Sequence, residues 1–382
     1  MVRASANIVA EQPVIEGASL EPLAFSALSN WVSDDHAAAL VAFRRTCIPI
    51  IEGQASLRQS IDVLRTACTA ALKLPVKVET ATARQFFEQH FQPFRVKPDM
   101  GKGFLTGYYE PEFHGRLQPT DGYDTPLLSR PDDLVTVVDG ETLPNLDPAL
   151  RGARRIITEN GERFESYPDR AAIEDGVLAD SAQPLVYLER VDAFMAHVQG
   201  SVRVRLGDGH VRRFAYAGRN GHAYTSVARR IVDETGIAPK DLTAPKLVKW
   251  LRANPLDARR LMRENRSYIF FRYADELSPH QGPVGAASVP LEPVRSIAID
   301  HRIWAYGLPI WIEAHLPDSA MPSREVSWER LMIAQDTGSA IIGPARADLF
   351  MGSGEAAGAQ AGLIRHVPER FIVLLPISRE RD

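Results

Sequence analysis

Leu331-Met332-Ile333-Ala334-Gln335-Asp336-Thr337-Gly338-Ser339-Ala340-Ile341-Ile342-Gly343, followed by Arg346-Ala347-Asp348-Leu349-Phe350, is the stretch on which fold and chemistry both turn. The run Leu331 to Gln335 has the length of a strand, not of a helix, and it delivers a carboxylate, Asp336, at its end. A second carboxylate, Asp348, follows 12 residues later, across a loop whose Gly338 and Gly343 permit the backbone to fold back. A third, Asp300, ends Ser296-Ile297-Ala298-Ile299 in the same way. Strand ends are where catalytic carboxylates tend to be displayed, yet aspartate beside glycine is more often a turn former, and the residues alone leave both readings open. Outward from this stretch, residues 267–272, 296–300, 309–314, 331–336 and 371–375 are short strand candidates with long connections. Strictly alternating βαβ units are missing, so the pattern points to a small barrel rather than a doubly wound sheet.

Residues 104–216 form a second β-rich unit, with short runs at 104–109, 185–188, 202–206 and 211–216. The last two are joined by the hairpin turn Gly207-Asp208-Gly209. Helical periodicity returns at 226–234 and again at 245–264, where Leu247, Trp250, Leu251 and Leu261 share a face. Ahead of residue 104 the texture is helical: Leu40, Phe43 and Cys47 form one stripe, Leu57, Ile61, Leu64 and Cys68 a second, and a third helix covers 82–90. Residues up to Val14 have no period and read as a loose leader. Both cysteines end an apolar stripe. The plain reading is two buried thiols, which a simple antiparallel hairpin sets more than a helical turn apart; a disulfide, needing Cα atoms within about 7 Å, is left equally open and goes with export.

At 382 residues the chain holds about two domains. Its 44 basic and 48 acidic residues leave a net charge of −4, which provides no field for collecting nucleic acid or an anionic membrane, and nucleic acid is not expected as a partner. No apolar run reaches the roughly 18 residues that a membrane span requires. Two cysteines far from paired histidines make no zinc site, and neither a metal nor another cofactor is expected. The opening residues Met1-Val2-Arg3-Ala4-Ser5-Ala6-Asn7 contain no apolar export segment and no lipid-acceptor cysteine, so this sequence is read as carrying neither leader nor anchor.

The two-aspartate stretch, preceded by Ala298-Ile299-Asp300, resembles the three-aspartate barrel module of bacterial cell-wall enzymes. Gly107-Tyr108-Tyr109-Glu110-Pro111, Val198-Gln199-Gly200-Ser201 and the segment Tyr216 to Tyr224 are similar to signature segments of the membrane-bound lytic murein transglycosylase A family. The matches run in family order over roughly two thirds of the chain. The resemblance implies a mainly β fold with helices: a double-psi β-barrel domain, a second β-rich inserted domain, and a substrate groove between them. The barrel domain with its helical N-terminal part is expected over 1–103 and 241–382, and the insert over 104–240, its return falling anywhere from Asp233 to Arg266.

By the same resemblance the chain is a peptidoglycan lytic exotransglycosylase, a carbon–oxygen lyase that cuts the β-1,4 bond between N-acetylmuramic acid and N-acetylglucosamine. The muramyl C6 hydroxyl closes onto C1, leaving a 1,6-anhydro end. Since the nucleophile belongs to the substrate, one acid can suffice. The family's sole acid/base matches Asp348, which must stay protonated near neutral pH. Asp336, as a nearby like charge, together with partial burial, is expected to raise its pKa. Asp300 is assigned to barrel support with some contact to substrate. Tyr108, Gln199, Ser201, Tyr216, Arg219, Asn220 and Tyr224 offer the stacking faces, amides and guanidinium that bind glycan, although a tyrosine in a strand is as readily core and Arg219-Asn220-Gly221 as readily a turn. Glu110 is not assigned to catalysis, and His222 reads as structural. Ser339 and Ile342 stand where the family commonly has a second glycine and a lysine. The partner implied is the peptidoglycan glycan strand, and the place the periplasm, with outer-membrane association through an anchor outside this sequence and a monomeric state. Two rivals remain: an inverting glycoside hydrolase with Asp348 as acid and Asp336 activating water, and a barrel that binds glycan without cutting it.

Overall fold

Apolar stripes at helical spacing build the layer that supports the site. In the computed structural model, which describes residues 15–137, 141–278, 281–318 and 320–377, Asp35 caps the helix His36–Ile51 by accepting a hydrogen bond from Ala38 N at 3.0 Å. The leader read up to Val14 lies outside the described residues. The helix buries Leu40, Phe43, Cys47 and Ile50, and packs against Arg58–Lys73, which buries Leu64, Cys68 and Ala71. Cys47 and Cys68 are joined in a disulfide with Cα atoms 4.9 Å apart, which decides the alternative left open and corrects the separation of more than a helical turn expected from a simple hairpin. Counting equal rises from a tight turn fails because the connection contains its own 3-10 turn, Ala55–Leu57. The third helix, Thr80–His90, adds Phe86 and Phe87 to an aromatic cluster with Phe43 and Phe91.

These helices lie on a nine-stranded mixed sheet. Its order is Ala18–Pro22, Phe91–Pro98, Arg370–Pro376, Pro309–Pro317, Glu325–Asp336, Ser296–Ile299, Arg346–Ser353, Phe104–Glu110, Arg365–His366. Ser296–Ile299 runs parallel to Glu325–Asp336, and Phe104–Glu110 parallel to Arg346–Ser353. Gln335, next to the carboxylate, is fully buried; its amide donates to Ala42 O at 2.8 Å and Thr46 Oγ1 at 2.7 Å, tying the first helix to the sheet. Asp34 and Arg295 form a buried two-bond ion pair, both contacts 2.8 Å, that fastens the segment before that helix to the same sheet.

The second body is a six-stranded sheet ordered Ile269–Tyr273, Val211–Arg219, Ser201–Arg205, Glu112–Arg116, Pro184–Leu188, Thr125–Leu128, flanked by a three-stranded sheet of Leu134–Thr136, Gly152–Thr158 and Gly161–Ser166. The fold is thus mainly β with helices, in two β-rich bodies, as expected. The chain passes from one body to the other at Pro111. Glu110, fully buried beside it, receives Arg203 Nε at 2.7 Å, Arg213 Nε at 2.9 Å and Ser353 Oγ at 2.8 Å. It therefore joins strands of both sheets, and a buried carboxylate so paired is structural. The single helix read over 245–264 is two, Ala244–Ala253 and Pro255–Glu264, because Pro255 has no N–H to continue the first. The strand Arg346–Ser353 and the helix Arg190–Gln199 are additions to the sequence reading.

Candidate active site

Strand register brings the two aspartates together. Ala298 pairs with Asp336 on one side and with Asp348 on the other, and Asp348 pairs with Thr106 beyond it. Asp336, Ala298, Asp348 and Thr106 thus form one row across four strands, and the two aspartates stand two strand spacings apart, about 10 Å between backbones. The glycine loop does not fold them onto each other; the strand Ser296–Ile299 lies between them. Of the two loop glycines only Gly343, at φ +119°, occupies a conformation that favours glycine.

The two carboxyls are held differently. Asp336 Oδ2 accepts from the Tyr108 hydroxyl at 2.8 Å and Oδ1 from Ala286 N at 3.0 Å. Burial raises its pKa, against these hydrogen bonds and that of the Thr337 amide. Asp348 Oδ1 accepts one side-chain hydrogen bond, from Thr106 Oγ1 at 2.6 Å, and Thr106 Oγ1 in turn accepts from Arg346 Nη2 at 2.7 Å. Burial pushes Asp348 up to about 6, against the Arg346 charge and the Thr106 hydrogen bond, and Asp336 adds the smallest contribution. The expected cause is therefore reordered: loss of hydration outweighs the like charge. A carboxylic acid poised near 6 can both give and take a proton close to neutrality.

Asp300 is almost fully buried, held by Arg302 Nη2 at 2.7 Å and Nε at 2.9 Å, and it accepts Gly343 N at 2.8 Å. Although burial raises its pKa, these donors prevail and lower it. It fixes the loop between the other two aspartates. Tyr108 reaches Asp336 and stacks at a tilt 5.3 Å from Phe350. Burial, and then the two nearby aspartates, keep its phenol well above its ordinary range, so it is a donor. Gln199 Oε1 accepts from Tyr109 N at 3.2 Å, linking the end of the helix Arg190–Gln199 to the strand that carries Thr106 and Tyr108. Ser201 is buried at the start of its strand.

Asn220 is fully buried and saturated. Its amide donates to Pro168 O and Arg266 O, both at 2.9 Å, and its side-chain oxygen accepts Tyr268 N at 2.9 Å. His222 is buried against Tyr167 O at 2.7 Å, the structural place read for it. Tyr216 is exposed as a residue, yet loss of hydration around its hydroxyl raises its pKa against the Arg219 and Arg130 charges, and burial does the same at Tyr224 against the charge of Arg170. Asp336, Asp348 and Tyr108 are therefore gathered at one place, Asp300 and Gln199 brace it, and Asn220 and His222 pin loops of the other body. Thr106 and Arg346 were missed. The alternation of a strand held the signal, because Thr106 lies two residues before Tyr108 and Arg346 two before Asp348, on shared faces.

A family model described as the MltA specific insert domain matches residues 104–272, and one described as the 3D domain matches residues 295–374. The chain is 31% identical over 271 residues to a membrane-bound lytic murein transglycosylase A of Vibrio cholerae, covering 70% of this chain and 64% of that protein. It is 33% identical over 201 residues to the protein of the same name from Escherichia coli K12, covering 52% and 54%. These matches span less than two thirds of the curated relatives' length. Among solved structures, a membrane-bound lytic murein transglycosylase from Agrobacterium tumefaciens superposes with a TM-score of 0.81 at 33% identity, over 94% of this chain and 98% of that one. The crystal structure of E. coli MltA with bound chitohexaose superposes with a TM-score of 0.64 at 25% identity, over 95% of each chain.

Proposed function

The chain belongs to the membrane-bound lytic murein transglycosylase A family, and from that premise we propose that it cleaves the N-acetylmuramic acid–β-1,4-N-acetylglucosamine bond of peptidoglycan with Asp348 as the sole acid/base. The observation that carries this reading is the contrast between the carboxyls: Asp336 is engaged through both oxygens, while Asp348 has one hydroxyl donor and a pKa of about 6.

In the first step protonated Asp348 gives its proton to the bridging oxygen as the bond to the muramyl C1 breaks, releasing the N-acetylglucosamine end as an alcohol. The carboxylate so formed then takes the proton of the muramyl C6 hydroxyl as that oxygen bonds to C1. No water enters, and the enzyme returns to its protonated form. Thr106 and Arg346 stabilise the ionised state between the steps, which keeps the pKa low enough for the proton to leave. Asp336 would make a poor base for water in an inverting hydrolysis, because its oxygens already accept from Tyr108 and Ala286. Its fixed charge acts on the sugar cation that develops at C1.

Exposed Tyr216, with Arg219 beside it, is the glycan contact of the inserted body. The domain division is proposed with both bounds later than expected: the insert leaves at Pro111 instead of near residue 104, because Phe104–Glu110 pairs with Arg346–Ser353 in the nine-stranded sheet, and it returns after Tyr273 instead of near 240, because Ile269–Tyr273 pairs within the six-stranded sheet. The Cys47–Cys68 disulfide supports a periplasmic location, where such bonds persist. Outer-membrane association and action as a monomer complete the proposal. Among the described residues no helix is long and apolar enough to cross a membrane. The test is digestion of purified murein sacculi by the wild type and by Asp348→Ala, with products weighed by mass spectrometry. Anhydro products from the wild type alone are expected; products heavier by one water would establish hydrolysis, and undiminished anhydro release by the variant would remove Asp348 from the role.

A further inference from the structure

The inserted body holds a cavity of about 370 Å³ whose lining includes none of Asp336, Asp348, Tyr108 or Thr106. That volume falls in the range of roughly 300–1,000 Å³ typical of small-molecule sites. Phe194 and Met262 supply apolar wall. Three polar groups are locked together on another part of the lining. The Arg170 guanidinium, almost wholly buried, spends Nε on Asn265 O at 2.9 Å and Nη2 on Ser267 O at 2.6 Å, and its Nη1 lies 3.2 Å from His197 Nδ1. The His197 ring stands edge-on to Tyr268 at 4.3 Å, and Arg170 lies over the Tyr268 ring at 5.2 Å.

This geometry sets the donors. Arg170 can only donate, so His197 Nδ1 accepts from it and Nε2 carries the ring hydrogen. Burial holds His197 neutral and Tyr268 a neutral phenol. Tyr268 is 4% exposed, and its hydroxyl makes no hydrogen bond among the described residues. The hydroxyl is not among the sealed side-chain atoms that lack a partner, so it opens onto the cavity and its hydrogen is available to an occupant. Charge around the lining is unequal as well: Glu174 answers Arg170, Asp175 answers Arg263 and Asp124 answers Arg190, while Arg259 has no ion pair among the described residues.

We propose that this cavity is a binding site for a small ligand with an apolar body and one carboxylate head, the head taken by the Tyr268 hydroxyl and His197 Nε2–H beside Arg170, and the body by Phe194 and Met262. The site is separate from the row of catalytic side chains, and it stands whether or not the chain cleaves murein.

The experiment is calorimetric titration of the full chain with 4-phenylbutyrate and with 4-phenylbutylamine, which share a body and differ in head charge. The carboxylate is expected to bind with Kd of about 1 mM or tighter, and the amine at least about tenfold more weakly. Tyr268→Phe, which keeps the ring, is expected to weaken the carboxylate about tenfold. Ala179→Trp, at an exposed position of the lining, is expected to abolish binding without disturbing the core. Equal binding of amine and carboxylate, full affinity in Tyr268→Phe, or no heat with either probe in protein shown to be folded by circular dichroism would each overturn the proposal.

Discussion

Replacing Arg346 by Gln isolates the electrostatic setting of Asp348 while leaving the carboxyl and Thr106 in place. The two hydrogen bonds that link Arg346 to Asp348 through the Thr106 hydroxyl, 2.7 and 2.6 Å, cap the guanidinium–carboxylate separation at about 5.3 Å. At that distance and an effective dielectric of about 20, the attraction is about 3 kcal/mol. Each pH unit corresponds to about 1.4 kcal/mol, so the bare effect would be roughly two units, and solvent beside the half-buried Arg346 reduces it to about one. Arg346 opposes the burial that raises Asp348, so its removal lets the pKa climb from about 6 to about 7. Because catalysis begins from the protonated acid, kcat/KM has a plateau at low pH and falls about tenfold per unit above the pKa of the free enzyme. The wild type is expected to leave its plateau near pH 6 and Arg346→Gln near pH 7. At pH 7 the variant therefore keeps about half of its own plateau, where the wild type keeps about a tenth. The assay is kcat/KM for release of soluble anhydro-muropeptides from sacculi between pH 4.5 and 8.5, each enzyme normalised to its own plateau. A limb that stays in place, or moves to lower pH, refutes the assignment of both Arg346 and Asp348.

Three further outcomes are expected. Asp348→Asn keeps the acceptor for Thr106, loses about 10²–10⁴ in kcat, and unfolds less readily than the wild type at pH 8 by about 1–3 kcal/mol. The sign follows from a folded pKa near 6 above an ordinary value of 3.8: the cost of ionised Asp348 is complete above pH 6 and disappears as pH falls toward 4, so denaturant melts of the two proteins should converge there. Removing the disulfide by Cys47→Ala with Cys68→Ala, whose sequence separation is 21, should lower stability by about 3 kcal/mol on chain-entropy grounds, read by calorimetry. Glu110→Gln leaves Arg203 and Arg213 without their buried countercharge and should cost about 3–5 kcal/mol in urea melts; the kcat of the folded fraction should keep the wild-type pH limb, which a catalytic Glu110 would not allow.

The helices and the strands over 296–300, 309–314 and 331–336 were legible because each has one periodicity along a contiguous segment. The strand Arg346–Ser353 was hidden by its own chemistry. With no strand read over Asp348, the alternation that places Arg346 and Asp348 on one face went unused, and with it the link to Thr106. Register is the part that a single sequence expresses least. Nothing local says that Ala298 will sit between Asp336 and Asp348, because that depends on a parallel pairing and an antiparallel pairing made by the same short strand. The disulfide was obscured for a related reason: the level at which two helices meet depends on the path of their connection. Asn220 looked like a sugar ligand because amides bind sugars. The same amide satisfies three backbone groups at a loop crossing, and only coordinates distinguish the two uses.

The row of four paired residues also explains why two carboxylates need not imply a two-carboxylate mechanism. A pair sharing one proton has to approach closely, as adjacent like charges do when one pKa is driven up by the other. Here a whole strand intervenes, and Asp336 is the least of the influences on Asp348. What separates the aspartates chemically is the number of donors that each receives. Asp336 accepts from a phenol and from backbone, so moving a proton onto it would break bonds that the fold has already made. Asp348 accepts from a hydroxyl that can rotate and that is itself supplied by Arg346, so it can exist in either protonation state without dismantling its surroundings. A single residue that must serve as acid and then as base needs that tolerance more than it needs a second carboxylate, and the sugar's own hydroxyl removes the remaining need for one.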